Sequence, residues 1–489
     1  MPVTITAPER ALLAPGLEIS RLVTGLWQVA DMERAGSPLD LDLAAHHLAD
    51  YAQAGFDTFD MADHYGSAEL VAGQFRAGRG SASHPELLTK WVPKMGAVTK
   101  LEVREAVDRA RQRLGVDSID LLQFHAWRYS DPHWLDCLFW LTELRDAGLI
   151  RHLGVTNFDA VHLNLALATG IPIVSNQVCY SLLDRRAGGP LADVCQRYGV
   201  GLLCYGTVAG GFLTERWLGK PEPDWSTLDT WSEMKYGRFI RAAGGWAALQ
   251  RVLAATAKIA KKHGVSMANV ACRYVLDRPA VAAVIVGARL GSRSHLDDNQ
   301  RVFDLRLDGA DQAELDAVLA GLDQIPGDSG DEYRTPPYLT ASGDLSHHLD
   351  SVPPPYPARP MAGGRTTVLT GTIWEPLAGF CRATRIGNRI LVSGTTATHG
   401  DRRIGGDDPA AQTHFILDKI QGAIESLGGS LTDVVRTRIF IRRTDDWEPV
   451  ARAHGARFGT ILPANTLVRA DLIGDEYLVE IEAEAQLAT

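Results

Sequence analysis

The chain has 489 residues, too many for one hydrophobic core, so its length predicts two or three domains. Its formal net charge of -10 at pH 7 disfavours nucleic acid and anionic membrane surfaces as partners, because both usually require a basic face. We find neither a leader-like N-terminus nor an apolar run long enough to span a bilayer, so we expect a soluble cytoplasmic protein. Six cysteines without close pairs argue against a disulfide framework and a zinc cluster, and no metal site is expected.

The first three hundred residues alternate short apolar runs with amphipathic segments of helical length. Helical patterns cover residues 41–54, 100–114 and 135–147, and each is followed by a glycine, as expected at a helix end. The candidate strands are residues 22–27, 56–60, 87–91, 119–124, 151–155, 173–176, 201–205 and 283–286. Eight strand–helix repeats predict a (β/α)8 barrel, a TIM barrel, over residues 1–325, with its active site at the C-terminal ends of the strands. A doubly wound sheet is disfavoured because no G-x-G-x-x-G motif follows the first strand.

The pattern changes after the barrel. Residues 326–365 are rich in proline among Ser, Gly, Asp and His, which predicts an extended linker. Residues 366–489 then show strands and helices in the order β-α-β-α-β-β, which is typical of a small α+β domain.

Polar side chains follow three successive predicted strands of the barrel at the point where each strand ends. Asp60 and Tyr65 follow the second strand, Lys90 the third and His125 the fourth. A tyrosine hydroxyl has a pKa of about 10 and is a poor acid at neutral pH unless a cation lies beside it. Strand ends of a barrel converge on one mouth, so Lys90 can supply that cation while Asp60 holds it. Each residue alone is more often structural, but the four together predict a catalytic site in which His125 orients a carbonyl oxygen or assists proton transfer.

These groups lie in segments that resemble a known enzyme family. Residues 55–66, 88–91 and 114–127 resemble the signatures of the aldo-keto reductase superfamily, over roughly the first three hundred residues. The resemblance implies an oxidoreductase that reduces an aldehyde or ketone, or oxidises the alcohol, with hydride from a nicotinamide. It further implies that Tyr65 is the acid/base, that Lys90 and Asp60 tune it, and that His125 orients the substrate.

The same resemblance implies where the cofactor binds. Ser175-Asn176-Gln177 matches a carboxamide-binding segment, and Tyr205 the aromatic residue that stacks on the nicotinamide ring. Residues 206–213 resemble a pyrophosphate loop, and residues 286–299 an adenosine-phosphate segment. Guanidinium groups pair well with phosphate, so the arginines of that last segment favour NADP(H) over NAD(H). The implied cofactor residues are Trp27, Ser175, Asn176, Gln177, Tyr205, Gly206, Thr207, Gly210, Gly211, Leu213, Gly287, Arg289, Arg293 and Asn299.

Aromatic residues near the predicted mouth have two interpretations. Aromatic residues in the segment 214–244 either cover the barrel or form a lid over the cofactor and substrate; among them are Trp217, Trp225, Trp231 and Tyr236. Trp27, Trp91 and Trp127, all near strand ends, either line an apolar substrate pocket or pack in the core.

The second domain resembles the RidA/YjgF family in residues 385–395, 432–437 and 479–483. That family has a chorismate-mutase-like α+β fold, forms trimers with clefts between subunits, and includes members that hydrolyse enamines and imines with the arginine of a Pro-Ala-Arg motif. Here the motif reads Pro463-Ala464-Asn465, and the neutral amide forfeits the charge-assisted contact of a guanidinium with a carboxylate. Glu482 keeps the position associated with water activation. The predicted cleft residues are therefore Asn465 and Glu482, and a trimerising or differently specific module is an open alternative to a deaminase.

Together these patterns predict an NADP(H)-dependent carbonyl reductase or alcohol dehydrogenase fused to a RidA-like domain that binds or processes an imine or enamine. The expected partner is a small carbonyl or alcohol substrate, in a homotrimer formed through the second domain. The alternative is a non-catalytic cofactor-binding scaffold or sensor that the second domain oligomerises. The complete set of Tyr65, Lys90, Asp60 and His125 speaks against this alternative.

Overall fold

The computed structural model describes residues 7–31, 33–34, 38–79, 84–228, 230–291, 295–340 and 352–488. Its first element is an antiparallel hairpin of β1 (Arg10–Ala14) and β2 (Leu17–Ser20), which the sequence analysis did not identify. Leu13, Leu17 and Ile19 of this hairpin cluster with apolar side chains of the barrel strands. The hairpin therefore covers apolar side chains of the barrel interior that the barrel strands themselves leave uncovered.

Eight parallel strands close into a barrel, which confirms the predicted fold of the first domain. In chain order they are β3 (Leu22–Gly25), β4 (Thr58–Asp60), β5 (Glu86–Trp91), β6 (Ile119–His125), β7 (Ile150–Thr156), β8 (Ile173–Cys179), β9 (Gly201–Tyr205) and β10 (Val281–Gly287). The barrel closes where β10 pairs with β3. Each strand lies within a few residues of its predicted position, because fully buried parallel strands leave short, continuous apolar runs in the sequence.

Helices between these strands surround the barrel. They are α1 (Leu41–Gln53), α2 (Ala68–Arg79), α3 (Lys100–Leu114), α4 (His133–Asp146), α5 (Ala160–Ala168), α6 (Pro190–Tyr198), α7 (Trp231–Ala242), α8 (Gly245–His263), α9 (Met267–Leu276), α10 (Leu296–Gln300) and α11 (Gly309–Leu319). In helix α3 the capping residues mark both ends in the sequence. A capping box of Thr99 and Glu102 begins the helix, and Gly115 ends it with a left-handed φ of 65°.

The segment interpreted as a linker begins on the barrel. Residues 331–334 form the short helix α12 (Asp331–Arg334). The Glu332 carboxylate accepts a hydrogen bond from Arg186 at 2.8 Å, and Leu339 and Thr340 are buried. This ion pair and the burial attach residues 331–340 to the first domain.

The second domain is built on a seven-stranded sheet. Its elements in chain order are β11 (Ala358–Met361), β12 (Arg365–Val368), α13 (Trp374–Ala378), β13 (Ala383–Ile386), β14 (Arg389–Thr396), β15 (Thr398–His399), β16 (Arg402–Arg403), α14 (Pro409–Glu425), β17 (Val434–Ile441), α15 (Trp447–Phe458), β18 (Ala464–Arg469) and β19 (Val479–Gln486). The spatial order is β11-β12-β13-β14-β19-β17-β18, with β15 and β16 forming a separate hairpin. The predicted β-α-β-α-β-β unit is present from β14 to β19. Pro360 lies in β11, an edge strand, where a missing N–H is tolerated.

The two domains touch through their helices, with α5 of the barrel against α14 of the second domain. The Nε2 atom of the His162 ring lies within hydrogen-bonding distance of the Asp418 carboxylate, at 3.0 Å, and both side chains are buried. Among the described residues, no helix combines the length and apolar character needed to cross a membrane.

Candidate active site at the barrel mouth

A cavity of about 460 Å³ opens at the C-terminal ends of the barrel strands. Eleven of the predicted site residues line it: Trp27, Asp60, Tyr65, Lys90, His125, Gln177, Tyr205, Gly206, Thr207, Gly210 and Gly287. The barrel topology brings them together because parallel strands deliver their C-terminal ends to one rim.

A buried ion pair forms the floor of the cavity. The Lys90 ammonium donates to Asp60 at 2.6 Å, and the two side chains are 6 % and 5 % exposed. Asp60 also accepts hydrogen bonds from Gln177 at 2.7 Å and from Gln123 at 3.2 Å. Burial lowers the pKa of Lys90 and the Asp60 carboxylate opposes that shift. A carboxylate with this many donors is held in one position, and it holds the ammonium in turn.

Tyr65 lies beside this cation. It sits on the short turn that follows β4, and the Lys90 Nζ atom is 5.2 Å from the centroid of its ring. The edge of Trp27 packs against the ring at 5.0 Å, which limits its movement. Gly66 completes the turn with a φ of 72°, and a Cβ there would lie 2.0 Å from a carboxylate oxygen of Asp31. The turn thus requires glycine after the tyrosine.

His125 is a buried imidazole on the same rim, only 2 % exposed. Neither ring nitrogen has a hydrogen bond of good geometry to the described residues. Burial lowers the pKa of His125 well below its usual value, with nearby Arg334 contributing, so the ring is neutral at neutral pH. A buried polar group without a partner costs free energy, and a ligand oxygen in the cavity would satisfy it. The ring is held between Trp127 and Tyr333, at centroid distances of 4.5 and 5.5 Å.

The cavity wall suits a nicotinamide cofactor, although two predicted contacts lie elsewhere. Asn176 bonds the backbone of Phe158, on the side of β8 away from the cavity. Ser175 is fully buried and does not line the cavity. Side chains alternate along a strand, so Asn176 faces away from the barrel interior and Ser175 lies one layer deeper than Gln177.

Thr156 and Asn157, at the end of β7, line the cavity in their place. The Tyr205 hydroxyl donates to the Asn157 side chain at 2.8 Å, so an amide and an aromatic ring stand side by side. Beyond them lies the glycine-rich loop, where Gly206 and Gly210 have positive φ values and line the cavity. An aromatic face, an amide and a glycine-rich backbone match a nicotinamide ring and its adjoining phosphates.

Other residues that were predicted to bind the cofactor do not line the cavity. Leu213 is fully buried in the core, and Gly211 is not part of the cavity lining. Arg289 is exposed just beyond β10, and Asn299 is buried on α10. Arg293 lies outside the described residues.

The aromatic residues of the long segment after β9 divide between the two interpretations. Trp217 and Trp225 pack with Phe212 and Trp246 in an aromatic cluster, which covers the barrel. Trp231 and Tyr236, on α7, line the cavity. Trp27 and Trp127 also line the cavity, whereas Trp91 packs on Phe124 at 5.6 Å.

Lys235 and Tyr333 are among the cavity residues that the sequence analysis did not predict. Lys235 lies on α7 and donates to the Tyr333 hydroxyl of α12 at 2.7 Å. No motif marks either residue, since one is a lysine within a long insertion and the other lies in a segment interpreted as linker. An amphipathic pattern from 231 to 242 is the one sequence signal that could have indicated a helix here.

The structure does not bring Asn465 and Glu482 together within one chain. Asn465 donates to Thr437, whose hydroxyl bonds His454 of α15 on the helical side of the sheet. Glu482 pairs with Arg438 at 3.1 Å. Thr437 and Arg438 are neighbours in β17, so their side chains point to opposite faces of the sheet.

Comparison with known proteins now assigns the two domains. The model of the aldo/keto reductase family matches residues 21–320, which is more than half of the chain. The chain belongs to the aldo/keto reductase family. A second family model, described as endoribonuclease L-PSP, matches residues 371–487, the RidA/YjgF-like domain. The chain is therefore an oxidoreductase of this class with a nicotinamide cofactor, and it carries a second domain of known family.

Individual relatives cover one domain each. Protein tas of Escherichia coli is 32 % identical over 317 residues, which are 56 % of this chain and 88 % of the relative. An uncharacterised protein of Streptomyces coelicolor is 38 % identical over 119 residues, 24 % of this chain and 89 % of the relative. The structure of a glycerol dehydrogenase from Gluconobacter oxydans superposes with a TM-score of 0.50 at 22 % identity, covering 62 % of this chain and 92 % of that one. This structural likeness concerns the fold.

Proposed function

We propose that the barrel domain catalyses the NADP(H)-dependent reduction of an aldehyde or ketone, or the reverse oxidation of the alcohol. The observation that carries the proposal is the buried Lys90–Asp60 ion pair beside Tyr65. It faces the same cavity as the imidazole of His125, whose ring nitrogens have no hydrogen bond of good geometry within the described part of the chain. A proton donor, its cation and a second hydrogen-bonding group thus converge on one point, as carbonyl reduction requires.

Each residue then has a distinct task. Tyr65 donates its proton to the carbonyl oxygen, and the Lys90 charge stabilises the phenolate left behind. His125, neutral and buried, donates a hydrogen bond to the same oxygen and fixes its direction. Tyr205, Thr156 and Asn157 would hold the ring and amide of a nicotinamide at the mouth, and that cofactor would supply the hydride.

The preference for NADP(H) over NAD(H) is part of the proposal. Arg289 is exposed beyond β10 at the edge of the mouth, where a guanidinium can pair with a ribose phosphate. The backbone N–H groups of the glycine-rich loop at residues 206–211 would hold the pyrophosphate. Titration of the protein with NADPH and with NADH tests the preference, and tighter binding of NADH contradicts it.

The Tyr65→Phe variant tests the catalytic proposal. Wild type oxidises NADPH with members of an aldehyde and ketone panel, and the variant loses on the order of 100-fold or more of that activity, because one positioned acid is removed. NADPH binding, followed by fluorescence titration, stays within a few-fold of wild type since the ring remains. A wild type that binds NADPH and reduces none of the panel would instead support a cofactor-binding scaffold.

For the second domain we propose a trimerising module whose ligand is an imine or enamine, with the resulting carbonyl reduced by the barrel. Hydrolysis of an imine by water yields a carbonyl compound and ammonia, so the product chemistry of one domain matches the substrate chemistry of the other. Ammonia release by the full-length Tyr65→Phe variant measures the first step alone. The imines to test are those whose carbonyl products the wild type reduces. The proposal fails if the protein hydrolyses none of them faster than buffer does.

A further inference from the structure

Lys235 is a cation of the cavity that the reaction scheme above does not use. It lies on α7, its ammonium donates to the Tyr333 hydroxyl at 2.7 Å, and it lies over the rings of Tyr205 and Tyr333 at 4.8 Å from each centroid. No carboxylate of the described residues forms an ion pair with it, so one of its three N–H donors has a hydrogen-bonding partner within the described chain. Its charge is therefore only partly compensated by the protein.

The surroundings keep Lys235 charged. Burial disfavours the ammonium, but the Tyr333 oxygen, which accepts its hydrogen bond, and the nearby Glu332 carboxylate favour it, and the pKa of Lys235 lies above its usual value. Glu332 compensates the charge from a distance, because its carboxylate is engaged by Arg186 at 2.8 Å. A permanent cation that lines a cavity and lacks a contacting anion is a binding site for an anionic group of a ligand.

The position of Tyr333 is fixed from both sides. Its neighbour Glu332 is tied to Arg186, and the Nε atom of Arg334 donates to the backbone oxygen of Ala126 at 2.9 Å. Ala126 directly follows His125, whose ring is 5.5 Å from the Tyr333 ring. One phenol ring thus separates the imidazole that faces the carbonyl from the ammonium of Lys235.

We propose that Lys235, assisted by Tyr333, binds a carboxylate group of the substrate. The substrate class is a carbonyl compound whose carboxylate lies a few atoms from the carbonyl carbon. This inference rests on the carbonyl reduction proposed above and adds the specificity of the same site.

A phosphate group of the cofactor is the other source of an anion. The glycine-rich loop, however, contacts different residues of α7: a Cβ on Gly206 would meet the Tyr236 hydroxyl, and one on Gly210 would meet the backbone oxygen of Ser232. The Lys235 ammonium instead reaches Tyr333, on the side of His125. The geometry therefore favours the substrate carboxylate.

Matched pairs of substrates test the proposal. Glyoxylate, pyruvate and 4-oxobutanoate are each compared with the corresponding methyl ester, in NADPH-dependent reduction by the full-length protein. Wild type is expected to prefer at least one acid over its ester, and Lys235→Met to raise the KM of that acid about 10- to 100-fold, the usual effect of losing a hydrogen bond to a charged group. The KM of the ester and the dissociation constant of NADPH should change less than about 3-fold, which is the size of effect that a substitution has on a property in which it takes no part.

Further variants separate a specific role from a structural one. Lys235→Arg keeps the charge and should restore part of the preference, and Tyr333→Phe should weaken it in the same direction. Lys258→Met is the matched control, because its side chain is 71 % exposed on α8 and pairs with Glu314. The thermal midpoints of all variants are compared with wild type.

Several outcomes overturn the proposal. One is that wild type reduces each ester at the same rate as its acid. Another is an unchanged KM for the acids in Lys235→Met. A third is a loss of NADPH affinity in that variant, which would assign Lys235 to the cofactor. A wild type that reduces other members of the aldehyde and ketone panel but none of these acids overturns this inference alone, whereas a wild type that reduces nothing on the whole panel refutes the carbonyl reductase function and this inference with it.

Discussion

Individual buried charges behave differently at the two ends of the barrel. At the mouth, Lys90 and Asp60 neutralise each other at 2.6 Å. At the opposite end, Glu86 begins β5 near Asp120, and Arg151 pairs with both carboxylates. Burial and then the Asp120 charge raise the pKa of Glu86 to about 7, and Arg151 only partly opposes this. The mouth thus holds a satisfied pair, whereas the opposite end holds an excess of negative charge.

Glu86 makes stability depend on pH. Because its pKa is higher in the folded chain than in the unfolded chain, its stabilising contribution is present below about pH 4.5 and is lost as the pH rises through about 7. The Glu86→Gln variant should therefore gain stability relative to wild type between about pH 5 and 8. Thermal midpoints across this range measure the difference. Glu105→Gln, at an exposed position of α3, is the control, and a difference that stays constant with pH contradicts the prediction.

At the scale of elements, two helices outside the regular repeat complete the active site. Helix α7 lies in the long insertion after β9, and α12 follows the last helix of the barrel. Gly330, just before α12, has a φ of 85°, and a Cβ there would lie 2.0 Å from the backbone oxygen of Asn157. This close approach seats α12 against the end of β7, beside Thr156 and Asn157, which line the cavity.

The sheet of the second domain has one face that carries ion pairs and that the described helices leave uncovered. Helix α14 packs on β14 and β19, while the other face carries ion pairs of Arg389 with Glu484 and of Arg438 with Glu482. Leu391 lies among them, 37 % exposed. An apolar side chain framed by charged pairs is a suitable centre for the proposed trimer contact.

Substitution at this face should change the oligomeric state. Wild type is expected to sediment at three times its chain mass of 53.1 kDa. Leu391→Asp should shift the protein to a monomer, because an unpaired carboxylate would be buried in the contact. Leu101→Asp, on α3 of the barrel, is the control, since Leu101 is 66 % exposed. A wild-type monomer would refute the trimer, as would a variant that sediments unchanged.

At the scale of the whole molecule, a buried polar chain joins the two domains. His162 lies between Asp159 of the barrel and Asp418 of α14, and Arg457 of α15 also donates to Asp418. The imidazole stacks on Tyr129 with a centroid distance of 3.4 Å and an interplanar angle of 7°. Arg334 of α12, the neighbour of the cavity residue Tyr333, lies over the same tyrosine at 4.4 Å. Tyr129 therefore packs against both the domain contact and the helix that carries Tyr333.

Removal of Asp418 should loosen this contact. Breaking a buried charged pair costs about 3 kcal/mol or more, because its partners stay buried without compensation. Backbone amides of α5 and α14 should then exchange with deuterium on the order of 100-fold faster in Asp418→Ala than in wild type. Asp445→Ala, an exposed aspartate of the same domain, should leave the exchange unchanged. Equal exchange in both variants would show that the pair does not hold the domains together.

The sequence by itself determined the local features of this protein. Short continuous apolar runs located the eight barrel strands, since these strands are buried on both faces. Polar residues at successive strand ends identified Asp60, Tyr65, Lys90 and His125 as residues of one cavity. It did not identify strands β11 to β13, because they are short and lie among proline and polar residues. Family likeness in the sequence also assigned both domains, as the two family models confirm.

Only the tertiary structure decided contacts between distant segments. Side chains alternate along β8, so Gln177 points into the cavity and Asn176 points away from it. An error of one residue in the predicted register would exchange these two directions. Lys235 and Tyr333 are separated by 98 residues, and nothing local in the chain records that they meet. Likewise, Asn465 and Glu482 come from different strands, and register alone places them on opposite faces of the sheet.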